Sequence, residues 1–289
     1  MHDAFSIGGT VFFGILLSAL PFLAVGALAS GVVEVYTGSW QPRAPRGFWR
    51  PVLAGVLLGM AVPVCECGVI PLARRLMRKG WPVAAGVGFV LAAPAVNLIA
   101  VLSTGAAFGW GRMLLLRVLV TVIVAVAAAA WALRAEPDPL RESTGGGANL
   151  PEPVRRGVWD ALAAAGDDFL DMARYLVLGA AVAAALQTAV PRAAVLAVAQ
   201  GPVTSVLALE VLAFVLSLCS SVDAFVARAL AGTFGTGALV SFLVLGPMLD
   251  IKSTLMLLGV FKPRAVAVMA AGVAVLATLA GVLIHAVIR

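Results

Sequence analysis

The sequence predicts an all-α polytopic membrane protein, with about eight transmembrane helices at roughly 20 apolar residues per crossing. Three observations carry this. Hydrophobic residues make up 62% of the 289 positions. Mean hydropathy is +1.06 and charged residues are only 12%. Long apolar runs recur between charged or Pro/Gly-rich punctuation. A soluble domain carries about 25% charged residues, so a water-soluble globular protein and a disordered chain are both excluded. The runs lack strand-like alternation, and a helix satisfies its own backbone in lipid, so the spans are helices rather than barrel strands.

In chain order, span one is expected over about Ser6–Val33. Met1-His2-Asp3 lacks the positive start of a signal peptide, and the run is about twice the usual apolar core, so it reads as a retained span. Span two is Pro51–Leu72, ending in Arg74, Arg75, Arg78 and Lys79. Span three is Trp81–Phe108 and span four Met113–Leu133. Residues 135–156, rich in Pro, Gly and mixed charge, read as a flexible polar linker. Trp159–Asp171 is an amphipathic lead-in to span five, Met172–Val190. Spans six to eight are Val203–Phe225, Thr236–Val260 and Ala265–Ile288.

The net charge of +6 and pI near 9.9 come from loop residues that orient a membrane protein, so nucleic acid is not expected as a partner. Eight spans put both termini on one side with the linker and the Arg74–Lys79 cluster. The charge bias favours that side as cytoplasmic, and the excess of arginine over lysine with abundant alanine and valine suggests a prokaryotic inner membrane.

An internal repeat is visible in rare residues. Cys65 and Arg74 recur as Cys219 and Arg228, 154 positions on. Leu23, Gly26, Phe89, Pro94 and Asn97 meet Leu176, Gly179, Phe242, Pro247 and Asp250, 153 positions on. The chain therefore divides into a first transmembrane repeat (1–134), the linker (135–156) and a second repeat (157–289). Four spans per half make the repeats parallel.

Chemistry concentrates where helices are expected to break. Pro63, Gly68 and Pro71 frame Cys65-Glu66-Cys67 inside span two. Freed backbone is tolerated there only beside a cavity or under protein. Glu66, a carboxylate at membrane depth, is a functional candidate; the alternative is a protonated acid bonded to that backbone. Cys65 and Cys67 are soft donors, without the Cys-x-x-Cys spacing of structural zinc, and either alone could be a buried apolar residue. If the halves pack about a twofold axis, Cys219 joins them, and three thiols suit a soft metal or metalloid.

Cys219 is followed by Ser220, Ser221 and Asp223, where the serines can satisfy unwound backbone. Asp223 is either a proton site or an interfacial cap. Pro94 and Pro247 kink their spans before Asn97 and before Asp250-Ile251-Lys252. Residues two apart do not share a helix face, so Asp250 and Lys252 pair directly only if the helix unwinds. Glu66, Asp223, Asp250 and Lys252 are the proton-coupling candidates. Glu210 is a weaker one. No phosphate loop, nucleophile elbow or histidine pair is present, so neither enzymatic activity nor a cofactor is expected.

Pro63-Val64-Cys65-Glu66-Cys67-Gly68-Val69-Ile70-Pro71-Leu72, Leu91-Ala92-Ala93-Pro94-Ala95-Val96-Asn97, Cys219-Ser220-Ser221-Val222-Asp223-Ala224-Phe225 and Gly246-Pro247-Met248-Leu249-Asp250-Ile251-Lys252 resemble the predicted-permease family that includes the organoarsenical efflux permease ArsP. The resemblance spans both halves. It implies a multi-span inner-membrane permease, some of whose relatives export trivalent organoarsenicals while others are linked to copper or zinc.

The expected function is efflux of a soft metal or metalloid species, coupled to protons. Cys65, Cys67 and Cys219 would hold the transported ion or metalloid, with Glu66, Ser220, Ser221 and Asn97 as further binding residues. Partners are the lipid bilayer and the small inorganic or organometalloid substrate, with a homo-oligomer or accessory subunit compatible. The alternatives are a subunit of a larger permease complex with another substrate, and a thiol-redox membrane protein.

Overall fold

A computed structural model describes residues 2–36, 47–64, 66–141, 157–189 and 201–287. Among the described residues the chain is helical, with α1 His2–Tyr36, α2 Trp49–Ala61, α3 Glu66–Arg78, α4 Val83–Val96, α5 Leu98–Phe108 and α6 Arg112–Ala135. The second part holds α7 Val158–Ala189, α8 Pro202–Leu216, α9 Asp223–Leu230, α10 Thr236–Met248, α11 Ile251–Leu258 and α12 Pro263–Val287.

Among the described residues, six segments are long and apolar enough to cross a membrane: Gly8–Val32, Val83–Phe108, Arg112–Ala135, Val158–Thr188, Thr236–Leu258 and Pro263–Val287. Two are broken helices, α4–α5 and α10–α11. Their apolar windows are 78% and 89% buried, against 22% for α1 and 28% for α12. The broken pairs therefore form the centre, and the continuous helices the periphery.

Spans two and six depart from expectation. Gly55 lies against Ala85, and Gly59 against Ala93, so α2 runs parallel to α4. Glu210 meets Ser241, and Ala213 meets Gly246, so α8 runs parallel to α10. Each pair, α2–α3 and α8–α9, is thus a hairpin that returns to the side it started from. The 13 residues of α2 cover about 20 Å at 1.5 Å per residue, short of a hydrocarbon core of about 30 Å. Val62, with extended backbone, ends α2. Ser217, in the left-handed region at φ 47°, ends α8. The eight expected spans become six long apolar helices and two hairpins.

The direction of every helix follows from its contacts. Lys262 pairs with Asp138 at 2.9 Å, and Arg141 donates to the Leu258 carbonyl, so the end of α6 meets the start of α12. Arg134 lies over Phe48 and Trp49, which places the start of α2 there too. This is the linker side. Gly237 lies against Gly281, so α12 ends where α10 begins, on the opposite side. Gly8 lies against Thr188, which puts the start of α1 beside the end of α7 on that same terminus side.

Both helical ends of the chain therefore lie opposite the start of the linker, not beside it as expected. Corresponding helices of the two parts run in opposite directions: α1 against α7, α6 against α12, and hairpin α2–α3 from the linker side against α8–α9 from the terminus side. The expected parallel relation fails because each half has an odd number of crossings once its hairpin is recognised.

The lead-in Trp159–Asp171 and span five form one continuous helix, α7. The beginning of the linker is held in place. Leu140 bridges Phe261, Arg141 N donates to Val260 O at 3.0 Å, and Lys262 N donates to Pro139 O at 2.8 Å. Residues 142–156 lie outside the described residues. One close approach depends on glycine: a Cβ on Gly26 of α1 would fall 2.2 Å from the Gly68 Cα of α3, so only glycine lets these backbones touch.

Candidate transport site

Four helix starts meet at mid-depth, those of α3, α5, α9 and α11. Each needs partners for its exposed N–H groups. Asn97 caps α5: its Oδ1 accepts from Ala100 N at 2.8 Å, while its Nδ2 donates to Val64 O, at the tip of the first hairpin, at 2.8 Å. Asp250 caps α11 in the same way, with Oδ1 accepting from Ser253 N at 2.6 Å and from the Ser253 hydroxyl. An aspartate has no donor to offer. Lys252 supplies it, its Nζ donating to Ser217 O, at the second hairpin tip, at 2.8 Å. Asn97 thus fills alone a role that Asp250 and Lys252 divide between them.

Lys252 Nζ also lies 2.7 Å from Asp250 Oδ2 and 2.7 Å from Glu66 Oε1. Direct pairing two residues apart is possible because Asp250, at φ −133° and ψ 177°, is extended rather than helical. Glu66, Asp250 and Lys252 are all buried. Among the described residues, the second carboxylate oxygen of Glu66, Oε2, has no hydrogen-bond partner.

A small cavity opens at this cluster, with room for roughly one water. Glu66, Cys67, Ser217, Cys219 and Lys252 line it, with Ser18 and Phe22 of α1 forming part of the wall. Glu66, Cys67, Cys219 and Lys252 are thereby brought together, with Asp250 one ion pair away. Cys65 lies outside the described residues. Among the described residues no group of three His, Cys, Asp or Glu side chains is placed to hold a metal ion.

Asp223 goes elsewhere, into a second buried cluster. Arg117 of α6 grips it with two bonds, Nη1 to Oδ1 at 3.1 Å and Nη2 to Oδ2 at 2.7 Å. The same guanidinium donates to Thr104 Oγ1 at 2.8 Å and to Ala95 O at 3.1 Å. The Asp223 carboxylate is thus held at the core, not capping at the membrane surface. Ser220 is buried, and its carbonyl accepts from the Ser103 hydroxyl at 3.1 Å. Neither Ser220, Ser221 nor Asn97 lines the cavity.

Of the expected helix breaks, Pro63 stands at the hairpin tip, but Gly68 and Pro71 lie within α3, Pro94 within α4 and Pro247 within α10. A proline removes one backbone bond. Here the helices end a few residues later, where Asn97 and Asp250 cap the helices that follow.

Arg117 was missed by sequence reasoning. Its signal was an arginine inside the apolar run of α6, five residues beyond Arg112. Two other polar clusters flank the core. Glu210 accepts from the Ser241 hydroxyl and from Thr278 Oγ1 at 2.7 Å, tying α8 to α10 and α12. On the linker side of Glu66, Arg75 pairs with Asp168 at 2.7 Å and Arg74 with Asp171, while Ser30 donates to Asp168 at 2.6 Å. That layer joins α3, α7 and α1.

A buried polar centre inside a bundle of apolar helices broken at mid-depth is the architecture of a membrane transport protein. The family comparison agrees: the predicted-permease model ArsP_1 matches residues 8–286, and the chain belongs to that family. It is 39% identical over 266 residues to the UPF0718 protein YcgR of Bacillus subtilis, covering 88% of this chain and 89% of that one. It is 34% identical over 262 residues to a putative two-component membrane permease complex subunit of Streptococcus mutans, covering 88% and 87%. No solved structure matches the chain.

Proposed function

We propose that this permease exports a soft metal or metalloid species, either a trivalent organoarsenical or a thiophilic metal ion, across a prokaryotic inner membrane. The observation that supports this reading is the cavity where Cys67 and Cys219 meet Glu66 and Lys252. Thiols bind the soft centre. Glu66, whose Oε2 has no partner among the described residues, takes and releases the coupled proton. Cys65, next to Glu66 in sequence, is the third thiol of the set.

The two halves are inverted repeats of three crossings and one hairpin each. The matched caps at Asn97 and Asp250, and the matched hairpin carbonyls of Val64 and Ser217, support this. Among the described residues, the linker side carries Arg50, Arg74, Arg75, Arg78, Lys79, Arg134, Arg141, Lys262 and Arg264, against Arg112 and Arg228 on the terminus side. By the positive-inside rule the linker side is cytoplasmic and the termini face outward.

The test is a resistance panel in a sensitive host, covering methylarsenite, arsenite, antimony, copper and zinc. Cys67→Ser and Cys219→Ser are each expected to lower resistance to the cargo about tenfold or more at unchanged membrane abundance. Unchanged export by the double variant sinks the thiol role.

The name of the Streptococcus mutans relative favours a second reading, in which this chain is one subunit of a two-component permease. Cargo transport by the purified chain alone in liposomes would exclude it.

A further inference from the structure

The two central helix pairs are treated unequally by the peripheral helices. The starts of α3 and α11 meet on one side of the centre, and those of α9 and α5 on the other. By the inverted repeat, α9 is the counterpart of α3 and α5 of α11. Yet α1 lies along α3, and α7 along α11. Among the described residues neither lies along α5 or α9.

The uncovered pair shows apolar side chains outward, with Leu102 50% and Phe225 52% exposed. The covered pair carries the thiol-lined cavity, and α1 forms part of its wall. The α1–α7 pair is itself joined across the symmetry axis, since Gly8 meets Thr188 and Gly31 meets Ala161.

We infer that the α1–α7 pair is the moving gate of the permease, and that its second resting place is the exposed face of α5 and α9. This rests on the inverted-repeat reading. Two halves of one fold, inverted in the membrane, have two conformations that exchange their roles. In the conformation seen here α1 covers α3 and α7 covers α11. In the exchanged one α7 covers α9 and α1 covers α5, which uncovers the cavity toward the linker side. The layer of Arg74–Asp171, Arg75–Asp168 and Ser30–Asp168 bonds, between the cavity and that side, holds the present conformation closed. The second resting place offers no such layer. Arg228 is the counterpart of Arg74, but the counterparts of Asp168 and Asp171 on α1 are Ile15 and Ser18.

The register of the exchanged contact can be read from the existing one. Tyr175 of α7 packs on Gly259, just beyond α11. Moved back 153 positions, this contact becomes Phe22 of α1 on Ala106 of α5. Both residues are exposed. The experiment uses the full chain in native membrane vesicles, without cargo. Phe22→Cys with Ala106→Cys, treated with a short thiol cross-linker, is expected to give an intrachain link. Tyr175→Cys with Gly259→Cys is the control for the present conformation. Adding Asp168→Asn and Asp171→Asn is expected to raise the Phe22–Ala106 link about twofold or more, because the layer holding α7 to α3 is weakened.

A control link with no Phe22–Ala106 link overturns the moving gate. So does a Phe22–Ala106 link found only between two chains, which makes another copy the cover of that face. A benzophenone at Leu102 gives the same readout if the cysteine pair does not accumulate: an adduct with α1 supports the gate, and adducts with lipid alone overturn it. The inverted relation is read separately, from single cysteines replacing the exposed Arg78 and Arg264. Labelling of both from one side supports it, while labelling from opposite sides overturns the relation itself rather than the movement alone.

Discussion

Replacing Arg117 with methionine is expected to destabilise the fold by about 3–5 kcal/mol, the usual cost of stripping one partner from a buried ion pair. Arg117 and Asp223 are 1% and 2% exposed. Methionine fills much of the volume but donates nothing. Asp223 loses both its bonds from the guanidinium, and the Ala95 carbonyl and Thr104 lose a donor each. The measurement is the midpoint of thermal unfolding in detergent.

The double variant Arg117→Met with Asp223→Asn is expected to recover a large part of the loss, because the orphaned charge is gone. Arg117→Lys recovers little, since an ammonium cannot make the forked pair and reach two further oxygens. If Arg117→Met unfolds at the wild-type temperature, or the double variant is no better than the single, the pair does not hold α6, α5 and α9 together.

The second large effect is expected at Lys252. Its ammonium serves two carboxylates and a hairpin carbonyl at once. Lys252→Met leaves Glu66 and Asp250 buried together without a cation. The expected cost is again about 3–5 kcal/mol or more, and the chain should fail to accumulate in the membrane. Glu66→Gln in the same chain removes one of the two charges. It is expected to restore accumulation in part, without restoring cargo resistance, because the carboxyl proposed to exchange the proton is gone. Normal accumulation of Lys252→Met alone would show that the ammonium is not the counter-ion of this cluster. Recovery of resistance in the double variant would remove Glu66 from the coupling role.

The two clusters differ in how far the sequence announced them. Asp250 and Lys252 stand in an apolar run, so their cost in lipid marks them, and their spacing demands the unwound backbone that Asp250 adopts. Glu66 is marked in the same way by the cysteines and prolines around it. Arg117 is hidden by Arg112, because an arginine near the start of an apolar run reads as an interfacial charge. Asp223, near the end of its run, leaves a surface cap open as a reading for the same reason. Neither residue's hydropathy context reveals a partner that is distant in sequence.

The helices themselves are legible because apolar length is a strong constraint. Their direction is not. The runs over Pro51–Leu72 and Val203–Phe225 are long enough to cross, and hydropathy measures only length. Among the described residues, a few at 62–64 and 217–222 reverse the chain, and those reversals make corresponding helices of the two parts run in opposite directions. The repeat proposed from rare residues has a symmetry that depends on parity, and one hairpin in each half makes the proposed relation inverted rather than parallel.

The pairing of α1 with α7 has a consequence for biosynthesis. A ribosome delivers α1 to the translocon long before α7 exists, and Glu66 long before Lys252. The first half therefore leaves the insertion machinery with its outermost helix lacking its main neighbour. The short hairpin α2–α3 lacks the wall that α4 gives it until α4 has been made. Glu66 waits for a cation that is among the later residues to be made. The nascent first half therefore lacks both the α7 neighbour of α1 and the Lys252 partner of Glu66, which are made only with the second half.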